Sequence, residues 1–253
     1  MKTTLSIQQR AFLNRCAAFA RRIVPQACLL CGAWSGSACL CRACDDALVR
    51  LPVERCERCA LPVTAGRVCG SCLSDPPRYD ATLAAFAYAF PLDALVQALK
   101  YGGRLVIARL LGEALAQTVA AERADLIVPM PLSVQRLRER GFNQALEIAR
   151  PVARATGIPL APRACRRVID TPAQAALPWK ARAGNVRGAF VCDTDVRGLN
   201  VAIVDDVMTT GATVNELARN LRRAGAAEIR VWVVARALKH DAPFGANLDC
   251  CPY

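Results

Sequence analysis

The cysteines of this chain form an internal repeat that is suited to holding metal ions. Nine of the 14 cysteines lie between Cys28 and Cys72, and eight of those follow the pattern C-x2-C-x9-C-x2-C twice, the second copy 28 residues after the first. Two C-x2-C pairs supply four thiolates, which is the ligand set of a structural zinc site. The predicted zinc ligands are Cys28, Cys31, Cys41 and Cys44 in the first copy and Cys56, Cys59, Cys69 and Cys72 in the second. A module this short has little hydrophobic core, so zinc would supply much of its folding free energy.

A redox-active C-x2-C pair is the main alternative, but four such pairs in register favour structural zinc. The spacing leaves two points open. Cys39 lies two residues before Cys41 and could compete as a ligand, and the four pairs could combine either in sequence or interleaved. Catalytic zinc is not indicated, because such a site keeps an open position and often uses His, whereas the sole His of the chain is His240.

A second chemical motif follows a short apolar run at residues 201–204. Asp205 and Asp206 come directly after this run, and a turn rich in Thr and Gly then leads into a predicted helix. Backbone N–H groups at a helix N-terminus attract an anion, Thr hydroxyls add donors, and Gly allows close approach. The residues predicted to hold a phosphate are Thr209, Thr210, Gly211, Ala212 and Thr213. The two carboxylates suit sugar hydroxyls or a magnesium ion, so we expect a ligand with a phosphate at one end and a diol or metal at the other.

The elements that must position these residues alternate between strand and helix after a linker at residues 73–77. Apolar runs typical of buried strands and helical runs closed by Gly predict this order. The predicted strands are 82–90, 125–128, 201–204 and 229–234, and the predicted helices are 92–100, 105–121, 136–156 and 213–224. Strands separated by helices of this length predict a parallel α/β sheet, in which ligands bind at the carboxyl ends of the strands.

The positive charge of the chain is concentrated near this predicted site. The formal net charge is +12, and residues 128–190 contain 11 Arg or Lys but three acidic residues. Cations placed there would stabilise the negative charge that develops on a phosphate leaving group. Arg136 and Arg140 are four residues apart and share a helix face, unlike Arg138. We therefore expect Arg136 and Arg140 in the cleft as catalytic residues, together with Asp205 and Asp206, and Arg138 on the surface.

The composition excludes some classes of protein. Of the 253 residues, 54% are hydrophobic, which excludes a disordered chain. No segment has the roughly 18 unbroken apolar residues that span a bilayer, and the N-terminus lacks the clean apolar region of a secretory signal. We therefore expect a cytoplasmic protein with reduced thiols, whose basic N-terminal helix rests either on a membrane surface or on the rest of the protein.

Together these motifs resemble the ComF family (the ComFC/GntX group) of competence and DNA-utilisation proteins. Residues 201–213 resemble the loop that binds PRPP (5-phosphoribosyl 1-pyrophosphate) in type I phosphoribosyltransferases. The other segments that carry the resemblance are the cysteine array, 99–103 (LKYGG), 128–132 (VPMPL), Arg136 with 140–144 (RGFNQ), Thr171 with Gln174, Arg182 with Asn185, and 188–190 (GAF). The match runs from Cys28 to Arg236.

The resemblance implies an α/β type I phosphoribosyltransferase fold, a parallel sheet flanked by helices, preceded by a small N-terminal zinc-ribbon module. The expected domains are a basic N-terminal helix at 1–27, a double zinc ribbon at 28–75, a phosphoribosyltransferase-like domain at 79–238 and a tail at 239–253.

Roles for individual residues also follow from the resemblance. Asp205 and Asp206 would bind the ribose 2- and 3-hydroxyls, directly or through Mg²⁺, and residues 209–213 would hold the 5-phosphate. Residues 129–133 correspond to the pyrophosphate loop, and 163–187 to a flexible loop that closes over the site. Further residues implied in binding PRPP or its phosphates are Lys100, Pro131 and Leu132.

The resemblance implies a protein that binds PRPP or a ribose phosphate and acts in natural transformation or DNA utilisation, with Zn²⁺ and Mg²⁺ as cofactors. Three functions are open at this point: a phosphoribosyltransferase whose acceptor the sequence does not identify, a single-stranded-DNA-binding accessory without transferase activity, and a PRPP-sensing regulator. The implied partners are PRPP, single-stranded DNA and a competence helicase, with peripheral contact at the inner face of the membrane.

Overall fold

The computed structural model describes residues 26–169 and 187–238. Predictions that fall on 1–25, 170–186 and 239–253 lie outside the described residues. These are most of the basic N-terminal helix, most of the predicted flexible loop, Thr171, Gln174, Arg182, Asn185, His240 and the tail. The chain divides between Leu48 and Val49 into two compact units, so the two cysteine copies belong to different units. The boundaries at 75 and 79 stay predictions.

The described part of the first unit is a small cysteine-rich fold. Ala27 and Trp34 pair as an antiparallel bridge, and helix α1 (Arg42–Asp46) follows. Cys28, Leu40 and Leu48 are buried. So few buried side chains make a very small core, which is the situation in which metal binding contributes most to folding.

The second unit contains a parallel sheet and the helices that cover it. The strands are β1 (Ala81–Ala87), β2 (Leu126–Pro129), β3 (Cys165–Arg167), β4 (Phe190–Cys192), β5 (Asn200–Met208) and β6 (Glu228–Arg236). The helices are α2 (Gly70–Ser74), α3 (Leu92–Gly102), α4 (Leu105–Thr118), α5 (Val134–Arg140), α6 (Gln144–Thr156) and α7 (Ala212–Arg223). The alternation of long helices with strands agrees with the parallel α/β prediction.

Four strands form the main sheet in the order β1-β6-β5-β2, and every neighbouring pair is parallel. Ala87 of β1 and Met208 of β5 both pair with Arg236 of β6. Pro129, the last residue of β2, pairs with Val204 of β5. The carboxyl ends of all four strands therefore open at one edge of the sheet, where ligands bind in open α/β folds.

The central strands are buried because both faces of the sheet are covered. Residues 201–204 of β5 and 231–235 of β6 are fully buried, and Trp232 and Phe86 are among the largest buried side chains. Helices α4 and α6 pack closely at Gly112, where a Cβ would collide with Pro151 and lie 2.5 Å from the carbonyl oxygen of Ile148. Such continuous apolar strands are typical of parallel sheets covered by helices.

Three details differ from the sequence prediction. Strand β5 continues to Met208, so both aspartates lie within it rather than beyond it. The predicted helix 136–156 is two helices, because Gly141 adopts a positive φ of 76° and ends α5. Strands β3 and β4 pair as an antiparallel two-stranded sheet on either side of residues 168–189, where the sequence had indicated a loop.

Candidate functional site

Each cysteine copy brings four sulfur atoms into one cluster. Cys28, Cys31, Cys41 and Cys44 form the first group and Cys56, Cys59, Cys69 and Cys72 the second, with all Sγ atoms of a group within 4.8 Å of one another. The Sγ atoms of Cys31 and Cys41 are 3.7 Å apart, and those of Cys59 and Cys69 are 3.6 Å apart. A tetrahedral zinc ion with Zn–S bonds of about 2.3 Å places its sulfurs about 3.8 Å apart. The pairs therefore combine in sequence, the groups fit structural zinc, and Cys39 belongs to neither group of described residues.

The sequence repeat is also a structural repeat. The bridge between Ala27 and Trp34 recurs 28 residues later between Arg55 and Pro62. Helix α1 recurs at the same offset as α2, and each begins directly after the third cysteine of its copy. The same backbone arrangement thus delivers the four sulfurs of each cluster.

The thiols of the second group differ in pKa because they crowd a small volume. Although burial raises it, backbone hydrogen bonds from Cys69 and Cys59 bring the pKa of Cys56 down to about 7. Burial raises the pKa of Cys59 to about 11 and also raises the pKa of Cys72. A bound dication would favour the thiolate form of all four sulfurs, which is how a zinc ion would stabilise this cluster.

The second cluster is built into the side of the main sheet. Arg236, at the end of β6, is buried, and its Nε donates a hydrogen bond of 2.7 Å to the carbonyl oxygen of Cys59. Its Nη1 donates to the carbonyl oxygens of Met208, at 3.0 Å, and Thr209. One guanidinium therefore connects a zinc ligand to the start of the Thr-rich turn. A cavity of about 480 Å³ lies between this cluster and that turn, lined by both.

The two predicted carboxylates lie side by side in sequence near the end of β5. Asp206 is 4% exposed, its Oδ1 accepts a 2.6 Å hydrogen bond from the Val207 amide, and Lys100 Nζ lies 2.9 Å from its Oδ2. Asp205 Oδ1 accepts a 2.8 Å bond from the Asp206 amide. Burial and the charge of Asp206 raise the pKa of Asp205 to about 8. Two carboxyl groups with one paired lysine suit binding of a hydroxyl donor or a cation.

The Thr-rich turn leads from β5 into α7. Gly211 is the N-cap residue of α7 with a φ of 80°, and Thr210 Oγ1 accepts a 3.2 Å bond from the Ala212 amide. A Cβ on Gly211 would lie 2.8 Å from Met208 Cε and 3.2 Å from Tyr79 Oη. This position therefore favours Gly for its backbone conformation, and a larger residue would also have to displace the end of the Met208 side chain. The next amides of α7, which follow that of Ala212, have no partners within the helix, so they can donate to an anion.

Residues 130–133 form the turn between β2 and α5, next to the carboxylates on β5. The Met130 amide continues the sheet by donating to the Val204 carbonyl at 2.8 Å. Ser133 is buried and caps α5 by accepting from the Arg136 amide at 3.4 Å. Pro131 is buried and Leu132 is half-buried. Pro131 and Leu132 thus follow the carboxyl end of β2, at the edge of the sheet where β5 carries the two carboxylates.

The two predicted arginines of α5 are in different situations. The guanidinium carbon of Arg140 lies 5.6 Å from the ring centroid of Tyr101, and Arg140 Nη1 is buried without a hydrogen-bond partner among the described residues. Arg136 is half-buried and Arg138 is exposed. Within the described chain, no ion pair joins Arg136 to the carboxylates. Helix α3 thus contacts two other elements. It contacts β5 through the pair of Lys100 and Asp206, and it contacts α5 through Tyr101 and Arg140.

The sequence analysis missed two residues of this region, Arg236 and Tyr79. Arg236 is the charged residue that ends the apolar run of β6, and such a charge beside a buried strand is an available signal of a buried polar contact. Tyr79 is 4% exposed beside Gly211. No sequence pattern distinguishes it from an ordinary linker aromatic.

Comparison with known proteins supports both parts of this architecture. Residues 19–73 match the double zinc ribbon domain family, and residues 153–243 match the phosphoribosyl transferase domain family. The chain is 37% identical over 229 residues to the DNA utilization protein YhgH of Salmonella typhimurium (strain LT2), covering 85% of this chain and 99% of that protein. This chain belongs to the ComF family. It is also 34% identical over 209 residues to Competence protein F of Haemophilus influenzae, covering 78% of this chain and 90% of the relative.

A more distant ComF relative is Competence protein ComFC of Bacillus subtilis, which is 26% identical over 211 residues, covering 78% of this chain and 84% of the relative. The ComF-family chain described here therefore combines a type I phosphoribosyltransferase fold with an N-terminal double zinc ribbon. In the part of the chain that the structure describes, no helix combines the length and apolar character needed to cross a bilayer.

Proposed function

We propose that this ComF-family protein binds PRPP or a closely related ribose 5-phosphate at the carboxyl edge of its sheet. The observation that carries the proposal is the continuity of β5, the Thr-rich turn and α7: two carboxylates lie near the end of the strand, and a Gly-capped helix N-terminus follows within six residues. The carboxylates can accept hydrogen bonds from the hydroxyls of a ribose diol. The amides of the turn and of the helix N-terminus can donate hydrogen bonds to a phosphate.

In this proposal each residue group has a separate task. Asp205 and Asp206 accept hydrogen bonds from the ribose 2- and 3-hydroxyls, and residues 209–213 donate to the 5-phosphate. Lys100 forms an ion pair with the buried Asp206. Pro131 and Leu132 belong to the turn that would border the pyrophosphate. Arg140 carries a buried, unpartnered Nη1 among the described residues, so it can bind an anion without first breaking an ion pair.

The same carboxylates would hold Mg²⁺, because hard cations prefer the oxygen atoms of carboxylates and phosphates. Burial and the Asp206 charge raise the pKa of Asp205 to about 8, and a bound cation would favour its charged form. Bound Mg²⁺ would supply charge neutralisation for a pyrophosphate group. Transfer of the ribose phosphate would then depend on cations such as Arg136 and Arg140 near the leaving group.

A calorimetric titration of PRPP with Mg²⁺ into zinc-loaded full-length protein tests the proposal. We expect Asp206→Asn to weaken binding about tenfold or more, since a hydrogen bond to a charged group contributes about 1.5–3 kcal/mol, while zinc content stays at two per chain. Asp125→Asn is the matched control. Asp125 accepts from the Asn200 amide at the opposite end of β5, a bond that Asn can keep. Equal loss in both variants, or no PRPP binding by the parent protein, would contradict the proposal.

Transferase activity is a separate question from binding. Isotopic exchange of pyrophosphate into PRPP would support a phosphoribosyltransferase, whereas PRPP binding that alters partner or DNA affinity without consumption of PRPP would support a sensor.

A second candidate function is binding of single-stranded DNA, which the names of two relatives favour: a DNA utilization protein and a competence protein. The excess of basic residues between 128 and 190 is compatible with backbone contacts. Affinity that depends on phosphate contacts falls steeply with salt. We expect an oligothymidylate to compete with PRPP if both use the same cleft, and a flat salt response would count against this function. Contact with a competence helicase or with the inner face of the membrane would be a further part of this second function.

A further inference from the structure

A second cationic cavity lies along the outer face of α7, away from the residues assigned to ribose phosphate. It has a volume of about 560 Å³, and its lining consists mainly of arginines. The charged residues around it are Arg78, Arg187, Arg219, Arg222, Arg223 and Glu216. Five guanidinium groups around a cavity of this size concentrate positive charge that attracts an anionic ligand.

The carboxylate of Glu216 does not neutralise the five arginines around this cavity. Its side chain is 6% exposed, and its Oε2 lies 2.9 Å from Arg219 Nη1. Its Oε1 accepts a 2.8 Å bond from the Gly188 amide. Glu216 therefore holds Arg219 and the turn at 187–188 in place. Both of its oxygens are engaged, so it does not pair with Arg78, Arg187 or Arg223.

Of the remaining four arginines, one forms an ion pair and three do not in the described part of the chain. Arg222 Nη2 contacts Asp80 Oδ2 at 2.5 Å, and its Nη1 donates to the Ala227 carbonyl at 2.6 Å. Arg78, Arg187 and Arg223 have no ion-pair partner among the described residues. Arg78 is anchored only through its backbone, whose amide donates to Asn215 Oδ1 at 2.6 Å. These three exposed guanidinium groups, which lack an ion-pair partner in the described part of the chain, can therefore bind an anion without first breaking an ion pair.

This cavity is distinct from the Thr-rich turn, which is proposed to hold the 5-phosphate. Its lining includes none of residues 209–213. Residues 216–223 occupy the second and third turns of α7, and at about 1.5 Å per residue Arg223 lies about 16 Å along the axis from Ala212. The N-terminus of α7, which directly follows the Thr-rich turn, therefore does not contribute to this cavity.

The chemistry of the lining defines the ligand. A guanidinium group offers paired donors that match the oxygens of a phosphate. The described lining contains no aromatic ring on which a nucleic-acid base could stack, and stacking is a main contact in single-strand binding. Cavities of about 300–1,000 Å³ are typical of small-molecule sites. We propose that this cavity binds a small molecule that carries two or more closely spaced phosphate groups.

The experiment titrates inorganic tripolyphosphate into the zinc-loaded full-length protein and three variants. Arg78→Ala/Arg223→Ala removes two free, exposed arginines of the cavity. Arg123→Ala/Arg154→Ala removes the same charge from exposed positions elsewhere. Thr210→Ala/Thr213→Ala removes two hydroxyl groups from the Thr-rich turn that is proposed to bind PRPP. We expect the first variant to lose tripolyphosphate affinity about tenfold or more, and the other two to bind it as the parent protein does.

Each other outcome overturns the proposal. Equal loss in the two arginine variants would mean a general charge effect, and loss confined to the Thr variant would mean that tripolyphosphate binds the phosphate turn. Absence of tripolyphosphate binding together with loss of oligothymidylate affinity in Arg78→Ala/Arg223→Ala would make the surface a nucleic-acid contact. PRPP binding is measured in parallel, so failure of the ribose-phosphate proposal is separately visible.

Discussion

The guanidinium Nε of Arg236 lies 2.7 Å from the carbonyl oxygen of Cys59, a zinc ligand of the second cluster. The same side chain donates to the carbonyl of Met208, the last residue of β5. The metal cluster and the proposed phosphate turn are therefore joined through one buried residue. The first cluster lies in the other compact unit of the chain.

This difference predicts unequal effects of matched cysteine substitutions. Cys31 and Cys59 occupy the same position in the two copies. We expect Cys31→Ser and Cys59→Ser each to reduce zinc content from two to one per chain. We expect only Cys59→Ser to weaken PRPP binding, because it releases the ligand whose carbonyl Arg236 holds. Zinc content by a colorimetric chelator and PRPP binding by calorimetry provide the two measurements. Equal loss of PRPP binding in both variants would show that the coupling does not run through Arg236.

The ion pair between Lys100 and Asp206 predicts a strong energetic coupling. Lys100→Met would leave the Asp206 carboxylate buried without its cation, and breaking such a pair costs up to about 3–5 kcal/mol. We expect somewhat less, since the Lys100 side chain is 21% exposed. In an Asp206→Asn background the same substitution should cost little, because no charge remains unpaired. Urea unfolding of the four proteins in this double-mutant cycle measures the coupling. Additive losses of stability would contradict it.

The raised pKa of Asp205, caused by burial and the Asp206 charge, predicts a pH-dependent stability difference. Between the ordinary carboxyl pKa of about 4 and the folded-state value of about 8, the folded state holds a proton that the unfolded state has released. The contribution of Asp205 to stability is therefore fully present below pH 4 and is lost as the pH rises through 8.

Asp205→Asn removes this titration but keeps the oxygen that accepts from the Asp206 amide. We expect the two proteins to melt at similar temperatures near pH 4 and the variant to melt several degrees higher near pH 8. Thermal melts across that range provide the measurement, and parallel curves with a constant offset would be the contrary result.

Gly211 offers a prediction with a matched glycine control. Gly211→Ala meets both a positive φ of 80° and a close contact with Met208 Cε. Gly198 has a similar φ of 72° but open space around the position of a Cβ. A left-handed conformation costs a non-Gly residue about 1–2 kcal/mol, so both variants should lose that much stability. We expect only Gly211→Ala to weaken PRPP binding as well, because its Cβ displaces the start of α7. Comparable PRPP affinity in both variants would argue against a role for this turn.

The fold and the metal clusters were largely predictable from the sequence because their signals are local and repeated. Eight cysteines in two registered copies predicted two zinc sites, and alternating apolar and helical runs predicted the parallel sheet. The break at Gly141 was missed because residues on both sides of it favour helix, and only its positive φ ends α5. The short pairing of β3 with β4 was missed because three-residue strands carry little periodicity.

The candidate site was predictable only where its residues follow one another in sequence. Asp205, Asp206 and residues 209–213 form one continuous motif, whereas the pairing of Lys100 with Asp206 joins residues far apart in the chain. Contacts of that kind depend on how α3 packs against β5, which no local pattern records. The same reason explains why Arg236 and the arginines around α7 emerge only in three dimensions.

The duplication of the ribbon has produced copies with different freedom to change. The second copy forms one wall of the cavity that it shares with the Thr-rich turn, so a substitution on that wall also remodels the turn. The first copy ends before Leu48 and carries an exposed Trp34. An engineered recognition segment can therefore be grafted at this exposed position of the first copy.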